Sequence, residues 1–531
     1  MQPSSLWSKF RRRLDKWRLV FLIFLAVYAV FLLLDLGSMA IQWDEANHLN
    51  SGLLLLHGRL QEYLESSMFY PPLNDLVIAS YFGIGGASVF AGRLVSVTFA
   101  ILSVGVLFEF ARRMYGSRTA LVSSILLATM PGFVWLSRVT MLETMLIFFF
   151  SASMLLFLSW LRKHDDRLLF LSGMALGLGF LTKYQAIVAV IVMVPSIFLL
   201  CRGYLKKKLF KFPVVILTAI ILVTPWIVVS YEAYSSGMLN EWFYAMTVGN
   251  PDKSLYSVRF PTPIFYLIEM TWPYGVVHPI SLFVYIFGLL GLGLLLWRRK
   301  PEDNFLLVWF TVVYVFFTLL GNRQWRYIVP IFLVMALSGA SLIVFIYEKA
   351  EKKWKLPQAT LKRRHLSKVA GACIVTMTVL SVAYSGVDAY RWVAKDAAFS
   401  LPAEEATRYA VERLKDNESI MVLCALNIFS QDIVQFYVQA NGPRPCRVWQ
   451  YPDLPVDTYT PIFSVDELAN RCSERNVKYL LLFEYGGTYP YFQSQLTMQG
   501  VYQMLLDSQR FTFQTTFGKS PSSIYVLAYA G

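Results

Sequence analysis

The chain has 531 residues, of which 56% are hydrophobic and only 15% charged, a balance that excludes a soluble enzyme of this size. Net charge is +14, but most Lys and Arg stand in short blocks between apolar runs. That placement reads as membrane topology and excludes nucleic acid as the explanation of the basic balance.

Apolar runs of spanning length fall at 18–37, 91–111, 119–137, 141–161, 167–182, 184–201, 213–234, 276–297, 304–321, 327–347 and 369–390. A span needs roughly 20 residues. The runs 167–182 and 184–201 are short and only Lys183 separates them. Before the first run lies the basic stretch Lys9–Arg18. No small-residue cleavage site follows it, so an uncleaved first helix with a cytoplasmic N-terminus is expected.

The basic blocks Lys9–Arg18, Arg112–Arg118, Arg162–Arg167, Arg202–Lys211, Arg298–Lys300 and Lys349–Lys368 hold more than half of all Lys and Arg. Eleven crossings put every one of them on the cytoplasmic side. Counting 73–86 as a further span would invert every later loop. This short run carries Asp75 and ends in glycines, and is expected to be an interfacial or re-entrant helix on the exterior side.

Three exterior segments remain: 38–90, with an amphipathic helix expected over 46–57, then 235–275, and everything after 391. In the last, 402–415 reads as an amphipathic helix, and SIMVLCA, NVKYLLLFEY and SIYVLAYA read as strands. The expected fold is thus an α-helical polytopic membrane protein of about 11 transmembrane helices, with exterior juxtamembrane helices. Residues 1–390 would form the membrane domain and 391–531 an extracytoplasmic α/β domain.

The five cysteines, Cys201, Cys373, Cys424, Cys446 and Cys472, include no CxxC spacing, so a zinc or redox motif has no support. The first two fall in apolar runs. The three C-terminal ones allow one disulfide pair at most.

Asp44 and Glu45 stand side by side where the chain leaves the first span. They read either as a solvated helix start or as functional carboxylates. Asp44, His48 and Ser51 share one helical face that would line a cleft, while Leu49, Leu53 and Leu56 would lie on the bilayer. Glu143 enters an apolar run about one turn inside the membrane, and an intramembrane carboxylate is a functional candidate. The competing reading is a structural ion pair with Arg138. Lys183 either snorkels to the interface or binds an anion. Arg323 and Arg326, beside aromatics in GNRQWRYIVP, are either interfacial anchors or phosphate ligands. His164–Asp165–Asp166 mimics a metal cluster only superficially, and His278 reads as structural. A P-loop, a dinucleotide-binding GxGxxG and a hydrolase serine elbow are all missing from the sequence.

Two separated carboxylate sites with cations beside a membrane suit a lipid-linked phosphate donor, because the leaving phosphate needs cations and an acceptor hydroxyl needs a base. Several segments then resemble the polyprenyl-phosphate-sugar-dependent glycosyltransferases of the GT-C fold, in the protein O-mannosyltransferase and aminoarabinose transferase group. They are WDEANHLNSGLLLLHGRL, YPPLNDL, the long stretch from AGRLVSVTFA to MLETMLIFFF, GLGFLTKYQAI and RQWRYIVPIFLVMALSGA, in that order. The resemblance covers about the first 350 residues; the C-terminal domain is similar only in kind.

The resemblance implies inverting transfer of a hexosyl or pentosyl unit from a polyprenyl-phosphate carrier in the bilayer to a hydroxyl on the extracytoplasmic face. The acceptor would be a protein, a lipid or a cell-envelope glycan. It implies Asp44 as the base, Glu45 as its helper and Glu143 as the second acidic position of the cavity. Lys183 and Arg326 would contact the donor phosphate, with Arg323 as a substitute for Arg326. His48, Tyr70 and Arg138 would line the cleft. No cofactor is called for, though a divalent metal is compatible with the family; no metal ligands are assigned. The aminoarabinose enzymes carry an acidic–basic pair just before PPL. Phe69 and Tyr70 stand there instead, which weakens the case for aminoarabinose and for a metal at that place. The alternatives are a lipid or sugar transporter or flippase, and a non-catalytic scaffold with the same core.

Overall fold

The computed structural model describes residues 16–66, 70–200, 205–235, 237, 239–240, 243, 258–272, 278–356, 360–398, 401–423, 429–441, 446–452, 463–484, 496–520 and 522–531. Each of the eleven apolar runs contains a helix. Seven helices are long and apolar enough to cross a membrane unaided: Lys16–Leu33, Val89–Tyr115, Glu143–Lys163, Leu205–Tyr234 (bent at residue 212), Pro301–Leu319, Pro330–Lys355 and Leu361–Lys395. Shorter apolar helices occupy Asp166–Thr182, Tyr184–Leu200 and Leu282–Arg298. The run 119–137 is broken at Met130–Pro131 into helices Ser117–Thr129 and Pro131–Leu136. Proline has no N–H to continue the ladder and is well placed as the first residue of a new helix.

Helix Pro330–Lys355 runs through the centre of the bundle, buried over most of its length. Helices Lys16–Leu33 and Leu361–Ala398 lie at the rim, where Val27, Val30, Val379 and Leu380 are exposed on flanks suited to lipid tails. The chain is an integral membrane protein.

Between the first two spans, helix Trp43–Leu56 starts three residues earlier than expected, so Asp44 and Glu45 fall in its first turn. Acidic side chains there are favoured by the helix dipole. Its apolar face does not lie on the bilayer: Leu49 and Leu53 are fully buried against neighbouring helices, and of the expected lipid-facing residues only Leu56 is exposed. The helix is pressed closely onto helices Leu73–Gly85 and Val89–Tyr115. A β-carbon at Gly52 would come within 2.5 Å of Ile78. The expected interfacial helix at 73–86 is therefore a 13-residue helix packed on protein, with Asp75 buried.

The last span runs on as one helix from Leu361 to Ala398, past the expected boundary at 390. The sheet that follows comprises β1 (Ser419–Leu423), β2 (Val448–Tyr451), β3 (Val477–Phe483), β4 (Phe511–Phe517) and β5 (Ile524–Tyr529). Its order is β2-β1-β3-β5-β4. The pairs β1–β2 and β1–β3 are parallel, whereas β5 runs antiparallel to β3 and β4. Helices Ala403–Val411, Gln431–Asn441, Val465–Glu474 and Met498–Asp507 accompany it. Strands β1 and β3 are buried throughout apart from Lys478, as expected of central strands covered on both faces. The domain shares one continuous apolar core with helix Trp43–Leu56, joined through Leu49, Phe82 and Phe436. Cys446 and Cys472 are free thiols, so no disulfide links them; Cys201 and Cys424 lie outside the described residues, as do Phe69 and much of 235–275.

Candidate active site

The charged residues of interest sit at breaks between helices, all at one end of the bundle. Asp44 lies in the first turn of helix Trp43–Leu56. Glu143 is the first residue of helix Glu143–Lys163. Lys183 adopts an extended conformation (φ −155°, ψ 128°) between helix Asp166–Thr182 and a 3-10 turn at Tyr184–Ile187. Arg326 belongs to a second 3-10 turn, Trp325–Ile328. Such breaks project side chains along the bundle axis, where a helix interior would aim them sideways.

Two ion pairs form there. Arg326 Nη1 lies 2.8 Å from Asp44 Oδ2. Lys183 Nζ donates to Glu143 Oε1 at 2.8 Å. The Tyr327 ring bridges them, 5.3 Å from Lys183 Nζ and 6.0 Å from the Arg326 guanidinium. Both pairs thus lie side by side, one on each side of Tyr327. Burial works against the Arg326 charge, but Asp44 and then Glu143 more than offset it and raise its pKa. Asp44 is 39% exposed and Glu143 only 3%, so Asp44 is the carboxylate open to an incoming molecule.

Behind Asp44, His48 Nδ1 pairs with Asp75 Oδ1 at 3.0 Å, and Tyr63 Oη donates to Asp75 Oδ2 at 3.4 Å. Tyr70 packs edge-on to His48 with centroids 5.0 Å apart. Burial lowers the His48 pKa, yet Asp75, then Asp44 and Glu143, outweigh it and hold the ring above its ordinary value. For Tyr70, burial followed by the Asp44 charge pushes the phenol well above its usual range. Behind Asp44 therefore stand a phenol held protonated and an imidazole whose charged form Asp75 stabilises.

Three expected members stand elsewhere. Glu45, adjacent to Asp44, points the opposite way into the protein. Its carboxylate receives Arg93 Nε at 2.7 Å and Nη2 at 2.8 Å, together with the Thr140 N–H at 2.8 Å. Neither Glu45 nor Arg93 is exposed. Burial would raise the Glu45 pKa, and Arg93 with Thr140 reverses that and lowers it. The Glu45 carboxylate is thus held by Arg93 and Thr140, on a different side of the helix from the Asp44–Arg326 contact. Arg138 does not pair with Glu143 and does not line the cleft: it is buried and donates to the carbonyls of Leu32 at 2.7 Å and Leu34 at 2.5 Å, closing the end of the first helix. Those carbonyls have no intrahelical partner, and a guanidinium suits them. Arg323 donates Nε to the Thr318 carbonyl at 3.0 Å, beside Tyr266.

Arg93, Asp75 and Tyr327 were not singled out in the sequence. Arg93 carried a usable signal, an ionisable residue in the first turn of an apolar run. Asp75 drew attention only as a reason against a span. His278 Nδ1 contacts the Thr271 carbonyl, in keeping with a structural role. His164–Asp165–Asp166 sits at the opposite end of the bundle, where Asp165 caps helix Asp166–Thr182. Among the described residues no three His, Cys, Asp or Glu side chains converge to hold a metal ion.

Next to Lys183, an apolar cavity of about 490 Å³ opens on the lipid-facing flank. Leu176 and Phe180 line it from before Lys183, Ile187 and Val190 from after, and Ile220 and Val223 from helix Pro213–Tyr234.

The helical bundle thus carries one carboxylate in its first loop, a second at the head of a later span and a small α/β domain at that end. The chain is a GT-C-fold membrane protein. Residues 70–229 match the family model described as dolichyl-phosphate-mannose-protein mannosyltransferase. The chain is 25% identical to the undecaprenyl phosphate-alpha-4-amino-4-deoxy-L-arabinose arabinosyl transferase of Aeromonas hydrophila over 310 residues, 56% of this chain and 53% of that one. It is 25% identical to transferase 2 of the same description from Proteus mirabilis over 329 residues, 60% and 57% of the two chains. It thus spans about half the length of these curated relatives. Among solved structures it is similar to ArnT from Cupriavidus metallidurans bound to undecaprenyl phosphate, with a TM-score of 0.59 and 14% identity over 96% of this chain and 98% of that one. It is also similar to the Archaeoglobus fulgidus oligosaccharyltransferase, with a TM-score of 0.53 and 12% identity over 95% and 74%.

Proposed function

We propose that the protein is an inverting glycosyltransferase that moves a hexosyl or pentosyl unit from a polyprenyl-phosphate carrier to an acceptor hydroxyl. The observation that carries this reading is the Asp44–Arg326 contact beside the Glu143–Lys183 pair. It brings an accessible base within reach of two cations, bordered by an apolar cavity. The relatives' aminoarabinosyl transfer and the undecaprenyl phosphate bound to ArnT support a donor of the same chemistry.

In this mechanism the prenyl chain lies in the cavity flanking Lys183, and the phosphate meets Lys183 and Arg326. Asp44 takes the proton of the acceptor hydroxyl as its oxygen bonds to the anomeric carbon. The bond from that carbon to the phosphate oxygen breaks, and the electron pair leaves with the phosphate, whose gained charge the two cations stabilise. Glu143 holds Lys183 in place. Because Asp44 and Arg326 begin as partners, an arriving phosphate competes for the guanidinium and releases the carboxylate to act as base. The acceptor is a protein, lipid or envelope-glycan hydroxyl. Phe69 and Tyr70 in place of an acidic–basic pair weaken the case for aminoarabinose as the sugar.

The basic blocks between spans support a cytoplasmic N-terminus and an extracytoplasmic cleft and C-terminal domain. A transporter is less well supported, since its substrate site would lie near the bilayer midplane, not at one end. The test is incubation of purified protein with a panel of polyprenyl-phosphate sugars and a cell-envelope extract as the source of acceptor hydroxyls, reading donor consumption by mass spectrometry. Consumption by the natural chain and none by Asp44→Asn is expected; equal consumption by both overturns the assignment of the base.

A further inference from the structure

Three consecutive residues open helix Trp43–Leu56, and each is held by a different part of the molecule. Asp44 contacts Arg326 in the turn between two spans. Glu45 is locked to Arg93 on the second span. The Trp43 indole Nε1–H donates to Asp432 Oδ2 of the C-terminal domain at 2.6 Å. Two turns along, Asn50 Nδ2 donates to the Asp432 carbonyl at 2.8 Å. Asp432 therefore grips this helix twice, from the first turn of helix Gln431–Asn441. Packing of Phe82 against Phe436, with centroids 6.3 Å apart, continues the contact.

Consecutive residues on a helix point about 100° apart. Anchors on three successive residues thus pull in three directions and fix the rotation of the helix about its own axis. Two anchors belong to the membrane bundle, and the third belongs to the soluble domain. The side chain between the outer two is Asp44, so its direction depends on both neighbours being held. The grip is also short and directional, an indole N–H aimed at a carboxylate oxygen.

We propose that Asp432 is a positioning residue: through Trp43 it sets the direction of Asp44, so that the C-terminal domain governs the efficiency of the base. This rests on the glycosyltransferase reading. The variants are Asp432→Ala, Asp432→Asn, Trp43→Phe and the double Trp43→Phe/Asp432→Ala, each in the full chain. Asp432→Ala and Trp43→Phe should lower kcat by about 10- to 100-fold, the range that a misdirected catalytic group produces. The KM for the lipid donor should hold, because Lys183 and the cavity are untouched. Asn keeps an oxygen to accept the indole N–H, so Asp432→Asn should restore most of kcat. The double variant should be no slower than either single.

A kcat unchanged in Asp432→Ala overturns the proposal, as does a loss shared equally by Asp432→Asn or one that multiplies in the double. Hydrogen exchange over residues 43–56 gives a readout without turnover: it should quicken in Asp432→Ala and not in Asp432→Asn, and unchanged exchange also overturns the proposal. If the natural chain consumes no donor at all, the glycosyltransferase reading fails by itself, and the exchange measurement still decides whether Asp432 holds the helix.

Discussion

Asp44 and Glu45 are neighbours of the same chemical type, yet the structure requires opposite responses to loss of charge. Glu45→Gln removes half of a fully buried, doubly bonded ion pair with Arg93. Breaking a buried pair from one side costs about 3–5 kcal/mol. Arg93 keeps its bonds to the carbonyls of Leu36, Met39 and Ala40, and glutamine keeps one acceptor oxygen, so the lower end applies, about 3 kcal/mol. Against total stabilities of about 5–15 kcal/mol that is a large share. Asp44→Asn, by contrast, alters a partly exposed pair worth about 1 kcal/mol or less. The assay follows the thermal unfolding midpoint of detergent-solubilised protein by tryptophan fluorescence, alongside turnover per folded molecule. Glu45→Gln should unfold several degrees lower and lose less turnover than Asp44→Asn, since its amide oxygen still holds Arg93; Asp44→Asn should keep its midpoint and lose turnover. If the two variants behave alike, or in the reverse order, the division between anchor and base is wrong.

Arg326→Ala should raise the KM for the lipid donor at least tenfold, about 1.4 kcal/mol of lost binding, measured by steady-state donor titration. Val223→Trp fills the apolar cavity; it should impair long-chain prenyl donors while leaving a donor with a truncated chain as good as before, read by comparing kcat/KM for the two. His48 is raised above its ordinary pKa by Asp75. A group whose folded value is raised contributes stability that is complete below about pH 6.5 and lost as pH climbs through the raised value. Unfolding midpoints across pH should therefore separate the natural chain from His48→Gln most at acidic pH and converge on the alkaline side.

Much of the bundle was legible because a lipid-spanning helix needs a long apolar stretch, and all eleven stretches contain helices. The face of helix Trp43–Leu56 was misjudged for a related reason. In a membrane protein, lipid and protein interior are both apolar, so a leucine stripe does not say which of them it meets. Asp44 and Glu143 stood out by being acidic beside apolar runs. Lys183 and Arg326 stood out as cations, but their pairing with those carboxylates did not: Lys183 lies 40 residues from Glu143, and Arg326 far beyond Asp44. Sequence proximity drew Arg138 to Glu143, when the bare carbonyls ending the first helix were its real partners. Strand β2 has only four residues, and the Thr- and Gln-containing β4 is apolar only at Phe511, Phe513 and Phe517; neither gives a pattern strong enough to read.

The placement of Asp44, Glu143, Lys183 and Arg326 at helix junctions has an evolutionary consequence. Substitutions there alter charge and reach without disturbing the packed interior of any span. Under the proposed function, a bundle of this kind would be retuned to a new sugar or acceptor by editing its corners, with the scaffold of spans inherited intact.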